Sequence, residues 1–303
     1  MLEAMMMAAK KAAAPVVGYG VYSGGFNDWS GAIVGTTHKY IFGTAVVSTT
    51  TAMVVARYQL GGVSNTEKGI WSGGWSQGNS QNPVTDVFTF SGETIAAGTN
   101  MSAGSRGAIG FGTATAAYFA LGFTSAATTT TDRFAYANNA RTSGGNLTTG
   151  RMGGAGTYNT TYGIMAGGYS DNSSTQIASV DKYTFANNTA AAGTSLGTAR
   201  GDFAGAGETT RGYFAYASGV TKYTYATDVV AAATNLVTPA NQRYGGATGN
   251  ADMGIFMSAG YAVQKTEKYA YLTEAVSAGT TVGGTSATAK TRIAAFSSTP
   301  GGF

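Results

Sequence analysis

One phrase returns six times along this chain and decides what it can fold into. A small-residue doublet leads into a strand of the form Lys/Arg-aromatic-x-aromatic. A Thr/Ala/Gly stretch follows, and then a lone Arg. The fullest copy runs Gly167-Gly168, Asp181-Lys182-Tyr183-Thr184-Phe185, Gly193-Thr194-Ser195-Leu196 and Arg200. The leading aromatics are Tyr40, Phe88, Phe134, Tyr183, Tyr223 and Tyr269, at steps of 48, 46, 49, 40 and 46 residues. The Arg marks are Arg57, Arg106, Arg151, Arg200, Arg243 and Arg292, at steps of 49, 45, 49, 43 and 49. A period of this length filled with short strands is the signature of a β-propeller blade. Such a unit cannot bury its own apolar face and must stack on its neighbours. The expectation is an all-β, six-bladed propeller over residues 18–303, preceded by a tail over residues 1–17.

Each repeat reads as four antiparallel strands. The first follows the Arg, as in residues 201–206. The second is aromatic and ends on the small doublet, as in residues 162–168. The third is the Lys-Tyr-Thr-Phe strand with its period of two. The fourth is the Val/Ala/Thr stretch, as in residues 94–99. Asn, Asp, Gly and Ser sit between them, as in Gly249-Asn250-Ala251-Asp252, because these residues favour turns. The chain enters on a second strand near Tyr19–Ser23 and leaves on a first strand near Ile293–Phe296. These two segments should pair, closing the ring and removing an open sheet edge.

The doublet, the Tyr strand and the Arg before the next repeat resemble kelch repeats. Gly24-Gly25, Gly73-Gly74 and Gly167-Gly168 match the kelch diglycine, while Leu121-Gly122, Ser218-Gly219 and Ala259-Gly260 keep its second Gly. The kelch Trp of the fourth strand is replaced by Thr, Ala or Gly. A narrower resemblance rests on Ala56-Arg57-Tyr58-Gln59-Leu60, Asp181-Lys182-Tyr183-Thr184-Phe185 and Ala199-Arg200-Gly201-Asp202-Phe203-Ala204-Gly205. These are similar to the degenerate kelch-like repeats of virion proteins of tailed phages, notably cyanophages. The resemblance covers residues 18–303. It implies a virion localisation and a structural or adhesin role, with other virion proteins as partners and host-surface glycans as a further contact.

Composition narrows the chemistry. Charged residues are 11% of the chain, against ~25% in a typical soluble domain. The surface must therefore be polar through Thr, Ser and Asn. The net charge is +4, but its cations are spread singly, without the basic, aromatic-interleaved run of a nucleic-acid binder. With no Cys and one His, His38, the chain has no thiolate nucleophile and no multi-His or Cys metal set. No cofactor, metal or catalytic group is expected, and the chain reads as a non-enzyme. No stretch reaches the length of a membrane span.

The first residues, MLEAMMMAAKKAAAPVV, place Lys10 and Lys11 after the apolar run, the reverse of a secretory signal. Ala, Leu and Met favour a helix over residues 2–13, with Glu3 near its start and the Lys pair near its end. Pro15 stops it. Leu2, Met5, Met6 and Ala9 are the expected docking face for another virion protein. The alternative is an unstructured leader.

Two sets of residues are candidates for a site. The Arg series is either a ring of anion-binding guanidiniums or an inter-blade tie through the carboxylates Asp86, Asp132, Asp181 and Glu267. These occupy one repeat position, held by His38 and Thr221 in the other two repeats. Trp29, Trp71, Trp75 and Tyr169, near the exits of second strands, either stack on sugars, giving a lectin-like module, or pack between blades. The polar turn Ser170–Ser174 lacks the ligand spacing of a calcium loop.

Overall fold

The computed structural model describes residues 18–27, 30–78, 80–217, 219–237, 245–258, 265–281, 293–297 and 299. The tail over residues 1–17, with Leu2, Met5, Met6, Ala9 and the expected helix, lies outside them.

Six four-stranded antiparallel sheets make a six-bladed β-propeller, and there is no helix among the described residues. The inner strands are Ala294–Ser297 for blade 1, then Gly61–Ser64, Ile109–Gly112, Ala155–Tyr158, Ala204–Gly207 and Ala247–Gly249 for blades 2 to 6. The second strands are Tyr19–Ser23, Lys68–Ser72, Ala116–Ala120, Tyr162–Ala166, Arg211–Tyr216 and Met253–Ser258. The third are Thr37–Ile41, Thr85–Thr89, Thr131–Ala135, Val180–Thr184, Gly219–Thr224 and Lys265–Ala270. The outer strands are Val47–Thr50, Thr94–Ala97, Arg141–Ser143, Thr189–Gly193, Val229–Ala233 and Ala275–Thr281. Blade 1 is completed from both ends of the chain: Val21 faces Phe296 and Ser23 faces Ala294 across an antiparallel pair.

Every inner strand touches the inner strands of both neighbouring blades, closing a ring about the axis. One residue of each points at that axis: Gly62, Gly110, Gly156, Gly205, Ala247 and Ala295. At four of the six positions the residue is glycine, for a steric reason. A Cβ on Gly205 would lie 2.7 Å from the carbonyl oxygen of Gly156, and one on Gly62 would lie 2.9 Å from that of Ala295. On Gly110 and Gly156 it would strike the carbonyls of Gly62 and Gly110. The axial channel is therefore walled by backbone, and the cavity in it is about 80 Å³.

The next inner-strand residue repeats a second rule. The Phe296 ring fills the space above Gly69, Phe111 that above Gly163, Thr157 that above Gly212, and Thr248 that above Gly20. In these four pairs a blade presents its bulk to a glycine on the second strand of the following blade, whereas blade 3 carries Ala117 at that position. The six leading aromatics of the third strands are all fully buried, so each contributes its whole apolar area to the blade-to-blade core.

The two faces of the disc differ. On one face, short turns join first to second strands and third to outer strands. The other face carries the second-to-third loops and the connectors between blades. In blades 1 to 4 those loops span residues 24–36, 73–84, 121–130 and 167–179; in blade 5 only residues 217–218 intervene. Hairpins Phe26–Asn27 with Ala32–Ile33, and Trp75–Ser76 with Ser80–Gln81, stand on this long-loop face. The loops leave their strands through residues at positive φ: Gly24 and Gly25 at 70° and 125°, Gly73 and Gly74 at 70° and 109°. Only glycine adopts such angles without steric cost, which explains the diglycine.

Candidate functional site

Arg57, Arg106, Arg151, Arg200, Trp75 and Tyr169 gather on the long-loop face, where the connectors cross from one blade to the next. Two residues after the Arg mark, the chain turns through the left-handed region: Gln59 at φ 56°, Gly153 at 60°, Asp202 at 56°. The equivalent residue in blade 3 is Gly107, at 66°. The N–H of Gly107 donates to the carbonyl of Gln59 at 2.7 Å, that of Gly153 to Gly107 at 2.9 Å, and that of Asp202 to Gly153 at 2.6 Å. A belt of backbone hydrogen bonds thus circles the mouth of the channel from blade 2 to blade 5 and fixes the connectors.

Within this frame Arg57 and Arg151 are fully buried. Arg57 donates through Nη2 to Asp86 at 2.7 Å. Arg151 donates to Asp181 through Nη2, and through Nη1 to the carbonyls of Gly167 at 2.9 Å and Ser179 at 2.7 Å. Burial pulls both guanidiniums below their ordinary pKa, and the adjacent aspartates oppose that shift. Each aspartate also accepts from the connector backbone: Asp86 from the Val54 N–H at 3.1 Å, Asp181 from that of Thr148 at 2.6 Å. The ion pair therefore ties a connector to the third strand of the blade it enters.

Blade 3 departs from the expected pairing of Arg106 with Asp132. Arg57, Arg151 and Arg200 each stand four residues before an inner strand, whereas Arg106 stands three before and Ser105 holds the fourth place. The Gly74 N–H donates to the Ser105 carbonyl just as that of Gly25 donates to Arg57 and that of Gly168 to Arg200. A shift of one residue in an extended chain sends the side chain to the opposite side. Arg106 accordingly lies over the Trp75 ring at 4.4 Å and the Phe123 ring at 4.9 Å, and donates to Asn172 Oδ1. Asp132 is served instead by Arg141 at 3.2 Å and by the Ser102 N–H at 2.7 Å. The sequence held the signal: the Arg steps of 49 and 45 disagree with the aromatic steps of 48 and 46, which Ser105 restores.

In blade 5, Arg200 is half-buried and donates to Thr221 Oγ1 at 3.3 Å, with the Tyr216 ring 5.9 Å away. Arg243 and Arg292 lie outside the described residues, while Glu267 is buried at the aspartate position of blade 6. His38 sits half-buried at the same position of blade 1, opposite Tyr22 and Thr49.

The direct ties between blades come from residues not singled out in the sequence. Lys39 pairs with Glu93 of the next blade at 2.5 Å, and Lys222 with Glu274 at 2.5 Å. Lys182 donates to the carbonyl of Tyr225 at 2.6 Å and Lys68 to that of Tyr136 at 2.7 Å.

The aromatic candidates divide. Trp71 is fully buried against Phe296, with ring centroids 4.2 Å apart, so it has no face for a sugar. Tyr169 is 5% exposed and lies across Gly201. Both are corrected from ligand candidates to core residues: the blade's own packing consumes their faces. Trp29 lies outside the described residues. Trp75 is half-buried in a run of ring and guanidinium contacts, Phe26 to Tyr58 at 5.2 Å and tilted, Tyr58 to Trp75 at 6.4 Å and stacked, then Arg106 and Phe123. Tyr58 and Arg106 both lie against its ring. The residue after the doublet is aromatic in five of the six repeats, Phe26, Trp75, Phe123, Tyr169 and Tyr261, a pattern readable from the sequence.

In the Ser170–Ser174 turn the Asp171 carboxylate accepts from Ser174 and Thr175, and these bonds hold it well below the usual carboxylate range. Among the described residues no three His, Asp or Glu side chains come together as a metal site. No described helix is long and apolar enough to cross a membrane.

The fold and its repeated diglycine define the class: a six-bladed β-propeller of kelch-like arrangement. No protein-family model matches the chain, and no curated protein matches it.

Proposed function

We propose that this chain is a non-enzymatic structural or adhesin component of a tailed-phage virion. Its propeller is displayed on the particle, held by residues 1–17 to another virion protein, and contacts the host surface through its long-loop face. The support is twofold. The repeats resemble those of phage virion proteins, and the ring is built as a rigid body. Its axis is walled by the backbone of four glycines and two alanines, its leading aromatics are fully buried, and its connectors are locked by the belt of left-handed turns and two buried ion pairs. Such a body offers its surfaces to partners.

The test is deletion of residues 1–14. The shortened protein should melt at the temperature of the full chain but fail to enter the particle in a complementation assay. Electron microscopy with an antibody to the propeller locates it on the intact virion. Normal incorporation without the tail would sink the attachment role, and absence of the antigen from purified particles would sink the virion reading.

A further inference from the structure

We infer that Arg200, Thr221 and Tyr216 form a binding notch for the carboxylate of an acidic sugar. This rests on the host-contact part of the proposed function. The propeller supplies its own control, because the same position recurs in other blades. In blades 2 and 4 the equivalent arginines, Arg57 and Arg151, are fully buried and each is neutralised by an aspartate of the third strand. In blade 5 the aspartate position is Thr221, whose hydroxyl accepts from Arg200 Nη1 at 3.3 Å. Among the described residues no carboxylate pairs with Arg200.

The shape of the rim changes at the same place. Blades 1 to 4 carry second-to-third loops of ten or more residues, but in blade 5 the strands ending at Tyr216 and beginning at Gly219 are separated by residues 217–218 alone. Arg200 is half-buried there. Its backbone is anchored: the Arg200 N–H donates to the Ile177 carbonyl at 3.2 Å and its carbonyl accepts from Gly168 at 2.7 Å. On this anchored backbone the guanidinium donates through Nη1 to Thr221, which uses one of its five N–H groups. A planar guanidinium matches a carboxylate through two parallel hydrogen bonds. The ligand carboxylate takes the role that Asp86 and Asp181 fill in the other blades. The Tyr216 ring, half-buried 5.9 Å from the guanidinium carbon, supplies an apolar surface for a pyranose ring carrying that carboxylate.

The test titrates the full chain with D-glucuronate, D-glucose and acetate by calorimetry or chemical-shift perturbation. Glucuronate should saturate, and glucose and acetate should each bind at least about tenfold more weakly. Thr221→Asp should place a carboxylate on Arg200 and weaken glucuronate binding by about tenfold or more, while its melting temperature stays at or above that of the unaltered protein. Arg200→Gln should lose binding without unfolding. Glucuronate that fails to saturate, or that binds Thr221→Asp as well as the unaltered chain, overturns the site. Acetate binding as tightly as glucuronate overturns its assignment to a sugar. None of these outcomes bears on whether the chain is found on particles, so the two readings fail separately.

Discussion

Arg151→Ala should be among the most destabilising single changes in this propeller. Arg151 is fully buried, pairs with an equally buried Asp181, and donates to the carbonyls of Gly167 and Ser179. Removing the guanidinium takes a donor from all three acceptors at once, although the Ser179 carbonyl still accepts from the Gly167 N–H at 3.0 Å. Asp181 keeps the Thr148 N–H and hydroxyl, at 2.6 and 2.5 Å, so its charge is not wholly unsolvated. Breaking a buried pair from one side costs about 3–5 kcal/mol. At roughly 2 °C per kcal/mol for a chain of this size, Tm should fall by about 6–10 °C. The check is urea unfolding of Arg151→Ala, Asp181→Asn and the double variant. The double variant should lose much less than the sum of the singles, because the two groups share one interaction. Arg200→Ala is the internal comparison: its partner is a hydroxyl and it is half-buried. It should cost about 1 kcal/mol or less. Equal losses for Arg151→Ala and Arg200→Ala would refute the claim that the repeat arginines differ by whether a carboxylate answers them.

Gly205→Ala should destabilise by about 1–3 kcal/mol through overpacking, because its Cβ would meet the rigid Gly156 carbonyl at 2.7 Å; an unchanged urea midpoint would show that the axis can widen. Truncation before Ile293 removes the strand that pairs with Tyr19–Ser23 and opens an edge in blade 1, so the product should aggregate, as light scattering would show; a monomer with an unchanged Tm refutes this. Alkaline stability carries a signed prediction. Burial, then the charge of Glu93, raises Tyr19 to about 12, and burial raises Tyr183 to about 12. Both are neutral acids with raised folded values, so their stabilisation is complete below the ordinary tyrosine value of about 10 and is lost as pH rises from there to about 12. Urea midpoints should fall between about pH 10 and 12; a flat profile there would refute it.

The repeat period, the four-strand blade, the six-blade count and the closure of blade 1 by the C-terminal strand are all legible in the residues. They rest on periodicity and strand alternation, which are local properties, and on the fact that an incomplete first repeat and an incomplete last one make one blade. The burial of the leading aromatics follows from the same alternation. What local pattern does not carry is the phase and surroundings of a single side chain. Arg106 looks like the other arginines, but one residue of offset turns it from the Asp132 side of the connector to the Trp75 side. Trp71 and Trp75 are four residues apart, yet one lies on a core-facing strand and the other on a rim hairpin. The glycines at the axis look like mere composition until the inner strands are brought together. Only then does the close approach of neighbouring carbonyls show why no side chain fits at Gly62, Gly110, Gly156 and Gly205. Local pattern is enough for the ring, but which arginines are neutralised depends on the packed blade, because a guanidinium's partner lies in a strand about thirty residues away and on whichever side of the chain the connector presents.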